Sequence, residues 1–168
     1  MSDETPATEP HPPIPLLDKH LCFTLYAASR AITGAYRPLL EPLGLTYPQY
    51  LVMITLGEHG SVTVKELVAL LQLDYGTVTP LIKRLEANGL LQRRRQADDE
   101  RVVHVALTDD GLALHTRLSD IPPAIAEAAG LTYDEVTTLQ NLARRLTANI
   151  DGHTTSTPTA RKKGGRRT

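Results

Sequence analysis

The sequence has little cysteine, little net charge and no long apolar run, and each shortage excludes a class of protein. Cys22 is the single cysteine among 168 residues, so the chain forms no internal disulfide and holds no cysteine-cluster metal site. The formal net charge is -1, so any contact with nucleic acid depends on local basic patches rather than on a global positive field. The apolar segments are too short to cross a bilayer, which excludes a membrane-spanning protein.

Targeting and metal-binding signals are also missing. The first fifteen residues are acidic and proline-rich, rather than basic and then apolar, so we expect no signal peptide and a cytoplasmic protein. The six histidines are scattered, and no two of them have the three- or four-residue spacing that brings ligands together on one helix. We therefore expect neither a structural metal nor a cofactor.

The composition divides the chain into an arm, one domain and a tail. Residues 1–15 contain five prolines and no amphipathic period, which predicts a disordered arm. Residues 16–150 carry the periodic apolar segments, and the 41% apolar content of the chain is enough for one core. Residues 151–168 are rich in threonine and end in RKKGGRRT, which predicts a disordered basic tail that raises non-specific DNA affinity.

Apolar spacing predicts two helices in the first part of the domain. From residue 16 to about residue 36, apolar residues recur every three or four positions, as on one helix face: Leu17, Leu21, Leu25, Ala28 and Ile32. Pro38 and Pro42 then disrupt regular helix. A second helix is predicted over residues 47–58, with Pro48 in its first turn.

The next segment predicts a helix-turn-helix motif. A minimal strand at residues 61–63 precedes a helix over residues 64–71, whose buried face is expected to be Leu67, Leu70 and Leu71. Asp74 is expected to cap a further helix that reaches Ala87, where Asn88-Gly89 stops it. The inward face of this helix is predicted to be Val78, Leu81, Ile82 and Leu85.

The outer face of that helix combines small or hydrogen-bonding residues with cations, as a helix that enters the major groove of DNA requires. Base edges are read by geometry, which suits the leading positions Asp74, Tyr75, Gly76, Thr77, Thr79 and Pro80. Phosphates are held by charge, which suits Lys83 and Arg84. We therefore predict that this is a recognition helix.

Two β-rich runs after this helix predict a wing. Residues 90–95 and 102–107 are separated by the polar QADDE, which predicts two antiparallel strands joined by a tip. Positive charge is concentrated there in Arg93, Arg94, Arg95 and Arg101. Asp99 and Arg101 are two residues apart and project to one side of a strand, so they either pair or leave the arginine for a minor groove. The alternative is that both helices belong to an ordinary core beside a solvated hairpin.

The C-terminal third predicts helices whose apolar faces have no strand to cover them. Thr108 begins a helix that extends to about residue 129 and bends at Pro122-Pro123. Thr132 and Glu135 form a capping box for the last helix, whose apolar face is Val136, Leu139, Leu142 and Leu146. The surplus of apolar surface at both chain ends predicts a homodimer formed by the N- and C-terminal helices. The predicted fold is mainly α with a small β-wing, a winged helix-turn-helix.

Four segments resemble the MarR family of regulators, and in particular its organic-hydroperoxide-sensing branch, the OhrR repressors: LDKHLCFTLY, LTYPQYLVM, LDYGTVTPLIKRLEANGLLQRRR and DDERVVHVALTDDG. The resemblance covers residues 17–150. It implies a dimeric winged-helix repressor, not an enzyme, that binds a two-fold operator in double-stranded DNA. It also implies that Cys22 senses organic hydroperoxides, and that Tyr36 and Tyr47 match the tyrosines whose hydroxyls approach the sulfur from the partner subunit.

The chemistry expected of Cys22 follows from this resemblance. An ionised sulfur attacks the peroxide O–O bond, and a small cellular thiol caps the resulting sulfenic acid because the chain has no second cysteine. An apolar approach to the thiol is expected from Phe23, Leu25, Leu39, Leu40, Val52 and Met53. Three alternatives remain: an inert buried cysteine, a thiol peroxidase, and a regulator released by a small phenolic or other ligand with Cys22 incidental.

Overall fold

The computed structural model describes residues 16–95 and 102–156. The predicted arm at residues 1–15, the wing-tip residues Asp99 and Arg101, and the end of the predicted tail lie outside the described residues. The chain divides into two units, residues 1–128 and residues 129–168. In the described ranges, no helix is both long enough and apolar enough to cross a membrane.

A long helix opens the first unit. A 3₁₀ turn at Leu17–Lys19 leads into α1, Leu21–Leu40, so the helix runs through Pro38 and past the end expected near residue 36. A proline removes one helical hydrogen bond, and that loss is offset here because the end of α1 packs on the core, where Leu40 is 1% exposed. Leu40 is the one buried residue of α1, so the predicted apolar face of this helix is exposed in the single chain.

The second helix begins and ends close to the predicted residues. After a 3₁₀ turn at Glu41–Leu43, α2 spans Tyr47–His59, with Thr46 as its N-cap. The Thr46 amide donates a hydrogen bond of 2.8 Å to Gln49 Oε1, which satisfies a backbone donor outside the helical ladder. Gly60 ends the helix at φ +73°, a positive φ that glycine adopts without a Cβ clash.

The helix-turn-helix and the wing form where the sequence predicts them. The elements are β1 Val62–Thr63, α3 Val64–Leu71, α4 Tyr75–Ala87, β2 Leu91–Arg95 and β3 Val103–Leu107. The strands form an antiparallel sheet in the order β1-β3-β2, in which Val62 lies opposite Val105 and Arg94 opposite His104. The base of the wing is therefore tied to the helix-turn-helix through β1.

One predicted buried face is partly wrong. In α3, Leu67 is fully buried and Leu71 packs against the core, but Leu70 is 47% exposed. The helix packs through a stripe that recurs every three or four residues, and Leu70 falls outside it; the stripe is Val64, Leu67, Val68 and Leu71. In α4 the prediction is confirmed, since all four inward residues are buried: Val78, Leu81, Ile82 and Leu85.

The helix predicted from Thr108 to about residue 129 is interrupted. α5 spans Asp109–Arg117, a 3₁₀ turn spans Leu118–Asp120, and α6 spans Ile121–Ala129. The break comes just before Pro122-Pro123, because these prolines have no N–H to bond the carbonyls of residues 118 and 119.

Large aliphatic side chains from the helices and the sheet meet in the core of the first unit. The fully buried members include Met53, Leu56, Leu67, Val78, Leu85, Leu91, Val105 and Leu118. Each such side chain contributes about 1.5–3 kcal/mol by leaving water. Leu85 of α4 and Leu91 of β2 are both in this set, so the core fixes α4 against the base of the wing.

The second unit is described by one helix, α7, Tyr133–Ser156. Its predicted capping box is confirmed, because the amide and the hydroxyl of Thr132 each donate to Glu135 Oε2 at 2.8 Å. The helix continues through residues 151–156, which the sequence assigned to the tail. Residues 133–157 contain no proline, and Gly152 costs a helix only about 1 kcal/mol, so nothing in this segment ends the helix earlier.

Candidate functional site

The start of α4 is held by Asp74, as predicted. The Thr77 amide donates to Asp74 Oδ1 at 2.8 Å, and the Thr77 hydroxyl donates to Asp74 Oδ2 at 2.9 Å. These bonds from Thr77 lower the pKa of Asp74, so the carboxylate is ionised at neutral pH. Because both side chains are engaged with each other, their first role is to fix the leading turn of the helix.

The outward side of α4 carries the predicted DNA-contacting residues on one exposed surface. Tyr75 is 54% exposed at the first position of the helix. The other exposed members are Gly76, Thr77, Thr79, Pro80, Lys83 and Arg84. Small and hydroxyl side chains therefore lead, and the two cations follow about two turns later, on the opposite side of the helix from the buried face.

An ion pair joins the end of α4 to the wing, and the sequence reasoning missed it. Arg93 of β2 contacts Glu86 Oε2 through Nε at 2.8 Å and through Nη2 at 2.6 Å. The hydrogen bond from Arg93 lowers the pKa of Glu86, and the same bond raises the pKa of Arg93. Arg93 is therefore committed within the chain and does not belong to the free basic patch that the arginine run predicted.

Arg94 is a second cation on the surface of the wing. Its Nη2 donates to Gln92 Oε1 at 3.2 Å, on the exposed side of β2. Arg94 lies opposite His104 in the sheet register, at the height where β3 also pairs with Thr63 of β1. Asp99 and Arg101 were predicted to contact DNA as well, and both fall outside the described residues.

The single thiol is exposed, at the beginning of α1. Cys22 is the second residue of this 20-residue helix and is not the buried cysteine of the inert alternative. Further along the helix, Arg30 Nη1 donates to the Tyr26 hydroxyl at 3.2 Å, and its guanidinium carbon lies 5.7 Å from the centre of the Tyr26 ring. Among the described residues, no group of three His, Cys, Asp or Glu side chains is arranged to hold a metal ion.

Three tyrosines form a cluster where the end of α1 meets the start of α2. The ring centroids of Tyr36 and Tyr47 lie 4.7 Å apart. Tyr50 completes the cluster, with its centroid 5.3 Å from that of Tyr36 and 6.2 Å from that of Tyr47. The sequence reasoning predicted the first two and missed Tyr50, although its three-residue spacing from Tyr47 on a helix was a signal for contact.

Burial raises the pKa of all three phenols. For Tyr47 the cause is burial, and for Tyr36 burial and the neighbouring Tyr47 raise the pKa while a side-chain hydrogen bond with Tyr50 lowers it. For Tyr50 burial comes first, followed by the two neighbouring phenols, the hydrogen bond with Tyr36 and the charge of Glu58, and these raise its pKa to about 12. All three hydroxyls are therefore protonated at neutral pH and available as donors.

Within one chain, the thiol and the tyrosines are far apart. Cys22 and Tyr36 are separated by 36 − 22 = 14 residues of α1, which is about 21 Å along a helix axis. The structure therefore brings Tyr36 and Tyr47 together but does not place either beside Cys22 of the same chain, and their predicted approach to the sulfur of a partner subunit stays a prediction.

The predicted apolar approach to the thiol is wrong for three of its six residues. Leu40, Val52 and Met53 are at most 1% exposed and belong to the core, whereas Phe23 is 38% exposed on α1 near Cys22. Val52 and Met53 lie on the face of α2 that turns toward the core, so a peroxide cannot approach the thiol along them. A separate cavity of about 450 Å³ lies between the end of α1 and the start of α2, with a polar part formed by Thr33, Arg37, Glu41, Thr46 and Tyr47.

Known proteins share this architecture and much of the sequence. Residues 35–118 match the family model described as transcriptional regulator SarA/Rot. The organic hydroperoxide resistance transcriptional regulator of Bacillus subtilis (strain 168) is 50% identical over 109 residues, which are 65% of this chain and 74% of that protein. The residues matched by the family model include the helix-turn-helix and both strands of the wing.

Solved structures with DNA are similar as well. Reduced AbfR bound to DNA has a TM-score of 0.69 at 32% identity, over 81% of this chain and 93% of that chain. Overoxidized AbfR bound to DNA has a TM-score of 0.65 at 34% identity, over 80% of this chain and 94% of that chain. A mutant MarR from E. coli complexed with operator DNA has a TM-score of 0.67 at 27% identity, over 75% of this chain and 92% of that chain.

These relatives regulate transcription and are not enzymes. The order of elements, the exposed recognition helix and the matched sequences agree. The chain belongs to the MarR family of winged-helix transcriptional regulators and is of the organic-hydroperoxide-resistance type.

Proposed function

We propose that the protein is a homodimeric repressor that binds a two-fold DNA operator and releases it when an organic hydroperoxide oxidises Cys22. The observation that carries the proposal is the separation between the exposed thiol and the tyrosine cluster along α1. A thiol at one end of an exposed helix and its hydrogen-bond donors at the other end form a site only between two subunits.

The sequence of α1 fits such an arrangement. Cys22, Ser29 and Tyr36 are spaced seven residues apart, so they lie on one face of the helix. If two copies of α1 cross antiparallel at a two-fold axis near Ser29, Cys22 of one subunit faces Tyr36 of the partner subunit. Ala27 and Ala28 beside the crossing point are small, which favours close approach of the two helices.

The exposed apolar surface of α1 gives this dimer a driving force. Leu21, Leu25 and Ile32 are 60%, 37% and 46% exposed in the single chain. Covering such side chains contributes about 25 cal/mol for each Å² of apolar surface removed from water. α7 carries exposed apolar residues of its own, among them Leu139 and Leu142, and we assign it to the same dimer.

For DNA binding, we assign the leading turn of α4 to base edges and the basic residues to phosphates. Tyr75, Gly76, Thr77, Thr79 and Pro80 form the reading surface, on the turn that Asp74 fixes. Lys83, Arg84 and Arg94 suit phosphates, and Asp99 and Arg101 remain the predicted minor-groove residues of the wing. A two-fold dimer places its two recognition helices one DNA turn apart, about 34–36 Å.

The oxidation step uses the Cys22 thiolate and the peroxide, and the capping step uses a small cellular thiol. The Cys22 thiolate attacks one oxygen of the peroxide, an S–O bond forms as the O–O bond breaks, and the leaving alkoxide takes a proton and departs as the alcohol. A small thiol then converts the sulfenic acid to a mixed disulfide and releases water. The start of a helix stabilises negative charge, and Tyr36 and Tyr47 donate to the same sulfur across the dimer.

Release follows from the bulk of the oxidised group. A mixed disulfide between α1 and the tyrosine cluster of the partner subunit displaces the segment that joins α1 to α2, and the winged regions then lose the groove spacing. The similar AbfR, which has been solved reduced and overoxidized with DNA, and the name of the Bacillus subtilis relative are in keeping with a redox-controlled regulator of hydroperoxide resistance.

A DNA-binding titration at fixed salt tests this proposal. The probe is a two-fold-symmetric site from upstream of the protein's own gene, measured before cumene hydroperoxide, after cumene hydroperoxide together with a small thiol that caps the sulfenic acid, and after excess dithiothreitol. We expect peroxide to release the DNA, dithiothreitol to restore binding, and Cys22→Ser to bind DNA at all stages. Because Cys22→Ser leaves no sulfhydryl in the chain, release of that variant by peroxide would contradict the proposal.

The cavity beside Tyr47 favours a second candidate function. The cavity is lined by the guanidinium of Arg37 and by the hydroxyls of Thr33 and Thr46. These groups suit a small phenolic or anionic ligand. The site is compatible with a regulator in which ligand binding, rather than oxidation, moves the segment between α1 and α2. Loss of operator binding by Cys22→Ala on addition of such a ligand, without peroxide, would favour this candidate.

A further inference from the structure

The cavity between the end of α1 and the start of α2 carries charges of both signs. Arg37 lies in the last turn of α1, and Glu41 follows one turn later, where its backbone amide donates to the Arg37 carbonyl. Residues four apart on a helix lie on one face, and both of these side chains line the cavity. Both are exposed, and in the described part of the chain neither takes part in an ion pair. The cavity therefore offers a cation and an anion to a ligand.

The threonine hydroxyls of the cavity add acceptors rather than donors. The Thr33 hydroxyl donates to the Ser29 carbonyl at 2.7 Å, and the Thr46 hydroxyl donates to Gln49 Oε1 at 3.0 Å. Each hydroxyl proton is used within the chain, and each oxygen keeps a lone pair for a ligand donor. An ammonium group suits these oxygens and the cavity's carboxylate, and a carboxylate on the same ligand suits the guanidinium. The whole set of groups fits an α-amino acid.

Tyr47 joins this cavity to the tyrosine cluster. Its side chain lines the cavity, and its ring centroid lies 4.7 Å from that of Tyr36. In the proposed dimer the partner subunit's Cys22 faces Tyr36, so the oxidised sulfur of one subunit lies beside the cavity of the other. The volume of the cavity, about 450 Å³, is within the range of small-molecule sites, about 300–1,000 Å³.

We propose that the cavity binds the small thiol that caps oxidised Cys22, and that this thiol carries an α-amino acid group. The inference rests on the proposed sensing function and names the substrate class of its second step. Arg37 holds the carboxylate of the thiol, and Glu41 holds its ammonium group. The thiol loses its proton and its sulfur attacks the Cys22 sulfenic acid; an S–S bond forms as the S–O bond breaks, and the hydroxide takes up the proton and leaves as water.

Three thiols that differ in charge test the proposal on the full-length protein. One equivalent of cumene hydroperoxide converts Cys22 to the sulfenic acid, which is verified by reaction of a sample with dimedone. L-cysteine, N-acetylcysteine or cysteine methyl ester is then added in excess, and intact-mass spectrometry follows the formation of the mixed disulfide. N-acetylcysteine lacks the ammonium group, and the ester lacks the carboxylate. Because the intrinsic reactivities of the thiols differ, the rate with each thiol is compared between the wild type and a variant.

The two cavity variants should respond to different thiols. Arg37→Gln should slow capping by L-cysteine and by N-acetylcysteine about three- to tenfold, the range for loss of one hydrogen bond, and should leave capping by the methyl ester at the wild-type rate. Glu41→Gln should slow L-cysteine and the methyl ester by a similar factor and leave N-acetylcysteine at the wild-type rate. This crossed pattern pairs each charge of the cavity with one group of the ligand.

Matched controls remove the same charges elsewhere. Arg117 of α5 and Glu127 of α6 are exposed and lie outside the cavity lining. Arg117→Gln and Glu127→Gln change the net charge by the same amounts as the cavity variants, and both should cap all three thiols at wild-type rates. If the controls reproduce the crossed pattern, the effect comes from the overall field of the protein and the inference is overturned.

The remaining outcomes separate this inference from the proposed function. If no sulfenic acid forms at Cys22, the proposed function fails before any thiol is added, and the inference fails with it. If the sulfenic acid forms and both cavity variants cap all three thiols at wild-type rates, the inference is overturned and the proposed function stands. Equal slowing of all three thiols by each cavity variant would indicate disturbed packing rather than recognition of a charge, and would also overturn the inference.

Discussion

Gly111 lies where the wing, its preceding loop and α5 meet. Substitution of this glycine therefore tests how closely these elements pack. A Cβ at this position would collide with the Leu90 carbonyl oxygen and would also approach the Leu107 Cβ at 3.3 Å. Thr108 closes the junction, because its hydroxyl donates to the Gly89 carbonyl at 2.6 Å and accepts from the Gly111 amide at 3.1 Å. The colliding Leu90 oxygen belongs to the backbone, so the collision cannot be relieved by rotation of a flexible side chain.

The size of the effect follows from two opposing contributions. Forcing an extra methyl group into a packed site costs about 1–3 kcal/mol, and the upper end applies here because the obstacle is a carbonyl. Alanine gains about 1 kcal/mol over glycine within a helix, and Gly111 lies in the first turn of α5. The net expectation for Gly111→Ala is a loss of about 2 kcal/mol, or about 4–8 °C in melting temperature.

Thermal unfolding followed by circular dichroism, at one fixed protein concentration, measures this. The matched control is Gly34→Ala in α1, where a Cβ meets nothing within 4 Å. Gly34→Ala should keep the gain in helix propensity of about 1 kcal/mol and raise the melting temperature by about 2–4 °C. A Gly111→Ala protein that melts at or above the temperature of Gly34→Ala would refute the close approach of α5 to the wing.

Three further predictions concern the ion pair, the helix cap and the dimer. Glu86→Gln frees Arg93 for phosphate, so the slope of log K against log salt for DNA binding should steepen by about 0.9, whereas Arg93→Gln should leave it unchanged. Bonds from Thr77 hold the pKa of Asp74 below its ordinary 3.8, so its capping is fully present above pH 3.8 and is lost as the pH falls through the lower folded-state value. The gap in melting temperature between wild type and Asp74→Ala should therefore close in acid, and a gap that persists would speak against the cap. Leu25→Glu on the exposed face of α1 should yield monomers in sedimentation velocity and weaken operator binding; an intact dimer would exclude this face as the interface.

The helix-turn-helix and the wing were predictable because local signals agree there. Asp74 caps α4, Asn88-Gly89 stops it, and the four inward residues recur at helical spacing. The exposed face of the recognition helix follows directly from that inward face. Where a helical sequence has a clear apolar period and a cap at each end, tertiary contacts seldom change the bounds or the buried face of the helix.

The differences arise where tertiary contacts prevail over local signals. α1 continues through Pro38 because burial of Leu40 outweighs the lost hydrogen bond, and no local signal reports that burial. Glu86 and Arg93 are seven residues apart across a turn and a change of element, so helical spacing does not reveal their pairing. Tyr50 was missed because an apolar helix hides a tyrosine among core residues, and only the packed structure shows which ring it supports.

A mixed dimer distinguishes a sensing site that is shared between subunits from one that lies within a single chain. One subunit carries Cys22→Ser and the other carries Tyr36→Phe, so the dimer holds a single thiol, on the Tyr36→Phe chain. If the site forms across the interface, this thiol faces an intact Tyr36 and reacts with cumene hydroperoxide at the wild-type rate. If this thiol reacts at the slow rate of the Tyr36→Phe homodimer, the site lies within one chain, which would contradict a sensing site between subunits.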